Sequence, residues 1–499
     1  MDAEAQTSRS SSPPTVVDLS WIAARPRALD RGNPGCLGPT RILRTLYVVL
    51  TRLEINGFKS FQDFAWDLEP LVMVLGPNSA GKSNLFDALA LISRLSQMEL
   101  PSALRGGHGS IRDQFAHTRD GVAETMSFAV ELLLSDPDLS APLAQTRFRY
   151  ELTVGRRTLP SGIEELNVLR EVLHPIARAD DEWITGRPEF AKFARYEANE
   201  VLLELVSDLS LVTTLVQDGV DITPDDLRRV QSPRGAVARD RADGTSEIGG
   251  MMHRRVPSVV DRTLIAEVGA IAGQHLSAVA RELRGWRFLH LGMHALRESS
   301  ERAASIRLAL DGANLPTALA ALSGPDRARV QADLVELVPG LTSVQVTATD
   351  DEFAIEATFV DGQRYSQRVL SDGTLRLLAL LTMLHSAEPG SLVAYEEPEN
   401  GLFPGRLREL LRRVRSVMSR HDALPVQVLL NGHSPAILAG LLDLPRSLAF
   451  ADLVRRNDGV RRTRIRRIDT NAKNRDPATL VGMAEVEKLL DAARPEAME

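Results

Sequence analysis

Eight consecutive residues, Gly76-Pro77-Asn78-Ser79-Ala80-Gly81-Lys82-Ser83, meet every fixed position of the pattern G-x-x-x-x-G-K-[ST]. The chemistry behind the pattern is geometric. Gly76 and Gly81 let the backbone turn so that successive N–H groups point at phosphate oxygens. A helix starting here adds its unpaired N–H groups and the positive end of its dipole. Lys82 can reach β- and γ-phosphates, and the Ser83 hydroxyl can ligate Mg²⁺. The ligand these residue types predict is a nucleotide's phosphates with Mg²⁺.

Three later stretches bear on the same chemistry. Leu392-Val393-Ala394-Tyr395-Glu396-Glu397 is an apolar strand ending in two carboxylates, at the end where ligands of parallel α/β sheets sit. Glu396 could hold Mg²⁺ through water, and Glu397 could polarise a water attacking the γ-phosphate; a surface acid pair capping a strand is the plainer alternative. His433 follows the second apolar strand, Val426–Leu430, where it could hydrogen-bond the γ-phosphate or be an ordinary surface histidine. The neighbouring Ser434 lacks the G-x-S-x-G surroundings of a hydrolase nucleophile. Ser371-Asp372-Gly373-Thr374 opens a helix, offering N–H groups and a hydroxyl to an anion, or serving only as a cap.

The elements that must position these residues follow from periodicity. Leu71–Leu75 predicts a buried strand feeding the glycine loop, and Asn84–Leu95 the helix leaving it. Leu50–Ile55 and Phe64–Leu68 read as a hairpin beside them. Runs at 125–134, 147–154 and 164–173 read as antiparallel strands. Helices are expected over 197–214, 264–283, 405–419 and 477–493, a mobile loop over 232–250, and hairpins around Asp361-Gly362 and Asn457-Asp458-Gly459. The segments then divide as a disordered extension (1–45), a part carrying the glycine loop (46–135), a middle lobe (136–340), a part carrying the later motifs (341–470) and a terminal helix (471–499).

Composition narrows the classes. The chain has 499 residues, 43% hydrophobic and 25% charged, ordinary for a globular protein with ample core. No run approaches the roughly 18 apolar residues needed to span a bilayer, and no signal pattern opens the sequence, so a cytoplasmic protein without membrane contact is expected. One cysteine, Cys36, excludes an internal disulfide framework. A formal net charge of −7 offers nucleic acid no general attraction. Local arginines crowd the last hairpin (Arg455, Arg456, Arg461, Arg462, Arg464, Arg466, Arg467) and the 405–419 helix (Arg406, Arg408, Arg412, Arg413, Arg415). They could contact phosphates of duplex DNA, or be a solvated face balanced by acids.

The joint order of these motifs resembles the ATP-binding-cassette ATPases of the SMC and RecF type, and more narrowly the bacterial AAA family ATPases. The resemblance rests on INGFKSF (55–61), GPNSAGKSNLFDAL (76–89), LSDGT (370–374), LVAYEEPENGLFP (392–404) and LLNGHSPAIL (429–438), with a weaker echo over 286–319. It implies an α/β P-loop fold: a mixed central sheet with an antiparallel β subdomain, carrying an inserted helical and β lobe. It also implies ATP and Mg²⁺ as ligands, with Asn84 among the ATP contacts. By the same resemblance two copies pair head to tail, so that Ser371 and Gly373 of one meet the ATP held by the phosphate loop of the other. Duplex DNA and a separately encoded nuclease are the partners it suggests; a slow nucleotide switch regulating a protein partner is the alternative. The family's usual aspartate is Glu396 here, and Phe403 stands where many relatives have histidine. A glutamine facing the metal is not clearly placed, Gln114 being the candidate.

Overall fold

The computed structural model describes residues 47–107, 109–119, 121–135, 143–197, 201–207, 212–216, 251–254, 260–268, 274–387, 391–418, 426–435, 437–438, 441, 444–456, 459–469 and 476–492. The extension at 1–45 and the loop expected at 232–250 lie outside these residues, as do Asn457 and Asp458 of the expected turn. Two compact units emerge: residues 289–386, and residues 44–288 together with 387–499.

Among its described residues the larger unit holds a two-stranded sheet, His117–Thr118 with Gly121–Val122, and two large ones. One is antiparallel, in the order Met251–Arg254, Val212–Val216, Leu203–Ser207, Glu164–Pro175, Arg147–Thr158, Thr125–Ser135, Tyr47–Asn56, Phe64–Asp67. Strict alternation builds it: Phe148, Tyr150, Leu152 and Val154 are buried, while Arg149 between them joins a charge ladder to Glu54 (2.7 Å) and Glu151 (2.7 Å). The expected antiparallel pairing of the three runs is present in register, Ser127 opposite Thr153 and Leu152 opposite Glu171. This sheet runs through the division drawn at residues 135 and 136, since Thr125–Ser135 pairs with Arg147–Thr158.

The other sheet is mixed. Its order is Arg287–Leu289, Leu392–Glu396, Gln427–Gly432, Leu71–Leu75, Leu448–Arg455, Arg461–Asp469, Leu480–Gly482. The neighbours from Leu392–Glu396 through Leu448–Arg455 are parallel, the 448–469 hairpin is antiparallel, and the last pair is parallel again. Leu71–Leu75 is buried throughout, as a strand covered on both faces must be.

Some elements differ from the sequence reading. The helix expected over 197–214 is instead the strands Leu203–Ser207 and Val212–Val216. The helix expected over 264–283 is present over Leu264–Val268 and Gln274–Gly285, and the residues between lie outside the described ones. The terminal helix is Met483–Ala492, and Leu480–Gly482 ahead of it pairs as an edge strand. In the smaller unit, strands Leu341–Ala348, Glu352–Phe359, Arg364–Ser366 and Ser300–Glu301 form one sheet, with helices Leu315–Ala321, Gly324–Leu337 and Asp372–Ser386.

Helix Leu264–Val268 is anchored to the antiparallel sheet by one buried carboxylate. Glu171 accepts the N–H groups of Leu264 (2.5 Å) and Ile265 (3.0 Å) and the Tyr150 hydroxyl (2.9 Å). Burial pushes its pKa up to about 7, outweighing the hydrogen bonds that lower it. A carboxyl with a raised folded pKa binds more protons folded than unfolded, so its contribution to stability falls as pH rises through that window. The Tm of wild type should therefore drop relative to Glu171→Gln as pH goes from about 5 to 7. A Tm difference constant over that range would contradict the assignment.

Candidate nucleotide site

Three parallel strands end at the same edge of the mixed sheet. Their register places Glu396 opposite Asn431, Asn431 opposite Val74, and Gly432 opposite Leu75. The residues that follow, Gly76 onward, Glu397 and His433, therefore leave the sheet side by side at its carboxyl edge. A hydrogen bond from Gly76 N to Gly432 O (3.2 Å) joins two of these exits.

The glycine loop turns as its sequence requires. Gly81 has φ 86°, and Ser79 shares the left-handed region at φ 66°. A β-carbon at Gly81 would lie 1.9 Å from Thr463 Oγ1, and one at Gly76 2.4 Å from Ala451 O, so neither position admits a side chain. Thr463 Oγ1 donates to Ala80 O (3.1 Å) and lies 2.6 Å from Ser60 Oγ. Its one hydrogen being committed to Ala80, Ser60 donates to it. Asn84 Nδ2 donates in turn to Ser60 (2.7 Å), which puts this side chain in the loop's support. Pro77 is half-buried, Asn78 and Ser79 are exposed, and the helix begins at Lys82, earlier than the expected Asn84.

Lys82 is buried and donates to two carbonyls of its own loop, Gly76 O (2.6 Å) and Pro77 O (2.8 Å). Burial pulls its pKa down, against the upward pull of Glu397, Glu399 and Glu396. Ser83 Oγ donates to Glu396 Oε2 (2.6 Å), and Asn431 Nδ2 donates to the same oxygen (3.0 Å). The glutamate that replaces the usual aspartate thus still reaches the serine. Glu397 sits at φ 51°, its N–H bonded to Asn431 Oδ1 (2.9 Å) and its Oε2 accepting from Asn400 Nδ2 (2.5 Å).

His433 is held from behind. Its backbone N–H donates to Glu399 Oε1 (2.6 Å), and its ring Nδ1 lies 3.3 Å from the same oxygen, leaving the ring edge exposed. Glu399 is buried, and its Oε2 has no hydrogen-bond partner among the described residues. A β-carbon at Gly432 would stand 2.6 Å from Glu399 Oε1, so a side chain there would displace this carboxylate.

Gly76–Asn84, Glu396, Glu397 and His433 thus belong to one unit and to one edge of it. Ser371 and Gly373 belong to the other unit, where Ser371 Oγ accepts the Thr374 N–H (3.2 Å) as a helix cap. Gln114 is buried in the larger unit, its Nε2 bonded to Ser110 O (3.4 Å). Sequence reasoning missed Glu399, Asn431, Thr463 and Ser60. Asn431 carried a signal, a polar residue inside an apolar strand; Thr463 carried none, since its partner Ala80 lies 383 residues away.

The donor set fits ATP with Mg²⁺. A turned loop, a buried ammonium and a hydroxyl 2.6 Å from a carboxylate occur with a buried carboxylate oxygen that has no partner among the described residues. Ser83 and Glu396 would hold the cation, which neutralises phosphate charge. Replacing Glu399 by alanine leaves the His433 N–H without its acceptor and should cost about 1–3 kcal/mol in urea unfolding. Glu399→Gln, which keeps an acceptor, should cost less; equal losses would discount the hydrogen bond.

Known proteins share stretches of this sequence and fold. The family described as "AAA domain, putative AbiEii toxin, Type IV TA system" matches residues 71–205 and 281–439. A chromosome partition protein Smc from Cereibacter sphaeroides is 42% identical over 97 residues, 18% of this chain and 8% of that protein. The chain therefore spans only a small part of that relative. Among solved structures, an Smc head bound to the C-terminal winged-helix domain of ScpA is 14% identical, with 84% of this chain and 98% of that chain covered at a TM-score of 0.40. An Smc head with an extended coiled coil from Pyrococcus furiosus, bound to the C-terminal domain of ScpA, is 13% identical, with 90% and 100% covered and a TM-score of 0.40. The family match takes in more than half of the 499 residues, including the loop, both carboxylates, Ser371 and His433, and the chain belongs to this AAA-domain family of P-loop nucleotide-binding ATPases.

Proposed function

We propose that the chain binds and hydrolyses ATP with Mg²⁺, and that two copies close head to tail around the nucleotide. The observation that carries this reading is the meeting of Ser83 and Glu396 at 2.6 Å, with Glu397 next along the chain and Lys82 buried in the same loop. Lys82 and the loop N–H groups bind and orient the phosphates. Glu397 accepts a proton from the water that attacks the γ-phosphorus while the bond to the ADP oxygen breaks. Asn400 and Asn431 orient that carboxylate and its backbone. His433, backed by Glu399, faces the γ-phosphate side, and Ser371 and Gly373 of the second copy complete the enclosure. Such an arrangement makes ATP both substrate and glue.

The process we propose is DNA maintenance or anti-phage defence, in the cytoplasm, with a separately encoded nuclease as effector. Support comes from the Smc relative's name as a chromosome partition protein and from the toxin–antitoxin system in the family's description. The hairpin contributes exposed Arg455, Arg456 and Arg461 for duplex DNA phosphates, whereas Arg464 (2.6 Å) and Arg466 (2.9 Å) are engaged by Asp452.

Glu397→Gln should keep ATP binding and lower turnover at least about a hundredfold. Light scattering with ATP and Mg²⁺ should then show the variant as a dimer, and adding Ser371→Arg should return it to monomer. Normal hydrolysis by Glu397→Gln would remove Glu397 from its role; a monomer throughout would remove the shared site. Duplex DNA should bind with an affinity that falls steeply with salt, and no binding at low salt would exclude it as a partner.

A further inference from the structure

One cation of the smaller unit stands beside the Ser371 turn. Arg297 ends the helix Met293–Arg297. Its Nη2 lies 2.5 Å from Asp372 Oδ1, and its Nη1 donates to Arg368 O (2.5 Å). One guanidinium thus bridges the chain on both sides of Leu370 and Ser371. It is well supported from below: Leu296, one residue earlier, is fully buried, and Gly312 leaves the room that Leu296 takes, since a β-carbon there would stand 2.5 Å from Leu296 Cδ2. The loop is seated independently by Gln367, which is buried, accepts Ile355 N–H (2.6 Å) and donates to Glu298 O. The Arg297 pair, by contrast, faces solvent, with side chains 30% and 53% exposed.

Ser371, Gly373 and the first turn of helix Asp372–Ser386 offer a hydroxyl and N–H groups, donors suited to an anion. Asp372 places a carboxylate in the same turn. By itself that carboxylate would favour the helix dipole and repel an arriving polyphosphate. The guanidinium at 2.5 Å cancels the charge and turns the carboxylate toward itself.

We infer that Arg297 is a positioning and charge-masking residue for the second copy's nucleotide: by neutralising Asp372 it permits the Ser371–Thr374 turn to accept a triphosphate in trans. This rests on the head-to-tail pairing proposed above. Arg297 touches no phosphate in this scheme; it acts through Asp372. A residue that only braced the loop would act through Arg368 O, and the two roles separate cleanly in a double variant.

The experiment measures ATP-dependent dimerisation of the full chain by light scattering in the Glu397→Gln background, together with ATP binding by the monomer. Arg297→Ala should leave monomer ATP affinity unchanged. It should raise the ATP concentration needed for dimerisation about tenfold at low salt, and by less at high salt, because an exposed charge is screened. Adding Asp372→Asn to Arg297→Ala should restore dimerisation, and Asp372→Asn alone should dimerise at least as well as the parent. An Arg297→Ala variant that dimerises like the parent overturns the inference. So does a double variant that stays as impaired as Arg297→Ala, for the arginine then only braces the loop. A parent that never dimerises with ATP is a different failure, that of the pairing itself.

Discussion

A buried ammonium beside three carboxylates is the constraint on which the site depends. Lys82 cannot lie in the interior without partners, because transfer of an unpaired cation out of water is strongly unfavourable. Its loop supplies Gly76 O and Pro77 O at hydrogen-bond distance, which requires the chain to curl tightly around its own lysine. That curl needs Ser79 and Gly81 in the left-handed region, and Gly81 in turn packs against Thr463 of the last hairpin. A local phosphate motif is thus held to shape by a residue far along the chain.

The carboxylates are placed by strand register rather than by loops. Parallel pairing sets Glu396 beside Asn431, and a one-residue slip of the first strand would turn Glu396, or of the second Asn431, toward the opposite face. Register is secured at the other end of the strands by Gln427. Its side-chain amide accepts from Leu50 N (2.8 Å) and donates to Leu50 O (2.8 Å) and Glu69 O (3.0 Å). One buried amide therefore stitches the antiparallel sheet to the mixed sheet, fixing the height at which Asn431 and His433 emerge. Arg147 plays a similar part deeper in the core, its guanidinium bonded to Asp181 (2.5 and 3.0 Å) and Thr51 (2.9 Å) with no exposed surface.

What could be read from the sequence follows from how each feature is encoded. The glycine loop, its strand and its helix are contiguous, and their residue types state their own backbone needs, so Gly76–Ser83 was legible outright. Glu396, Glu397 and His433 were legible because each follows an apolar run long enough to be a buried strand. Strands Leu203–Ser207 and Val212–Val216 were not, since short apolar runs carry no decisive period and the helix reading fitted as well. Their β-branched content, Val212, Thr213, Thr214 and Val216, was the available signal. Glu399 escaped notice for a different reason. Nothing in its neighbours shows that Pro398-Glu399 turns back under His433, a partner 34 residues onward.

The acid side of the site bears on how the nucleotide must arrive. Glu397, Glu399 and Glu396 all pull the pKa of Lys82 upward, three carboxylates acting on the one ammonium of the loop. A triphosphate approaching alone would meet that field unfavourably, whatever the loop N–H groups contribute. Ser83 and Glu396 offer a divalent cation two oxygens already 2.6 Å apart, and a cation bound there would reverse the local sign. On this ground metal and nucleotide should bind as a cooperative pair, each poorly retained without the other. Asn431 reinforces the coupling, because its amide donates to Glu396 while its carbonyl oxygen accepts from the Glu397 N–H. The residue that orients the cation's carboxylate thus also orients the proton acceptor, and one strand end sets both.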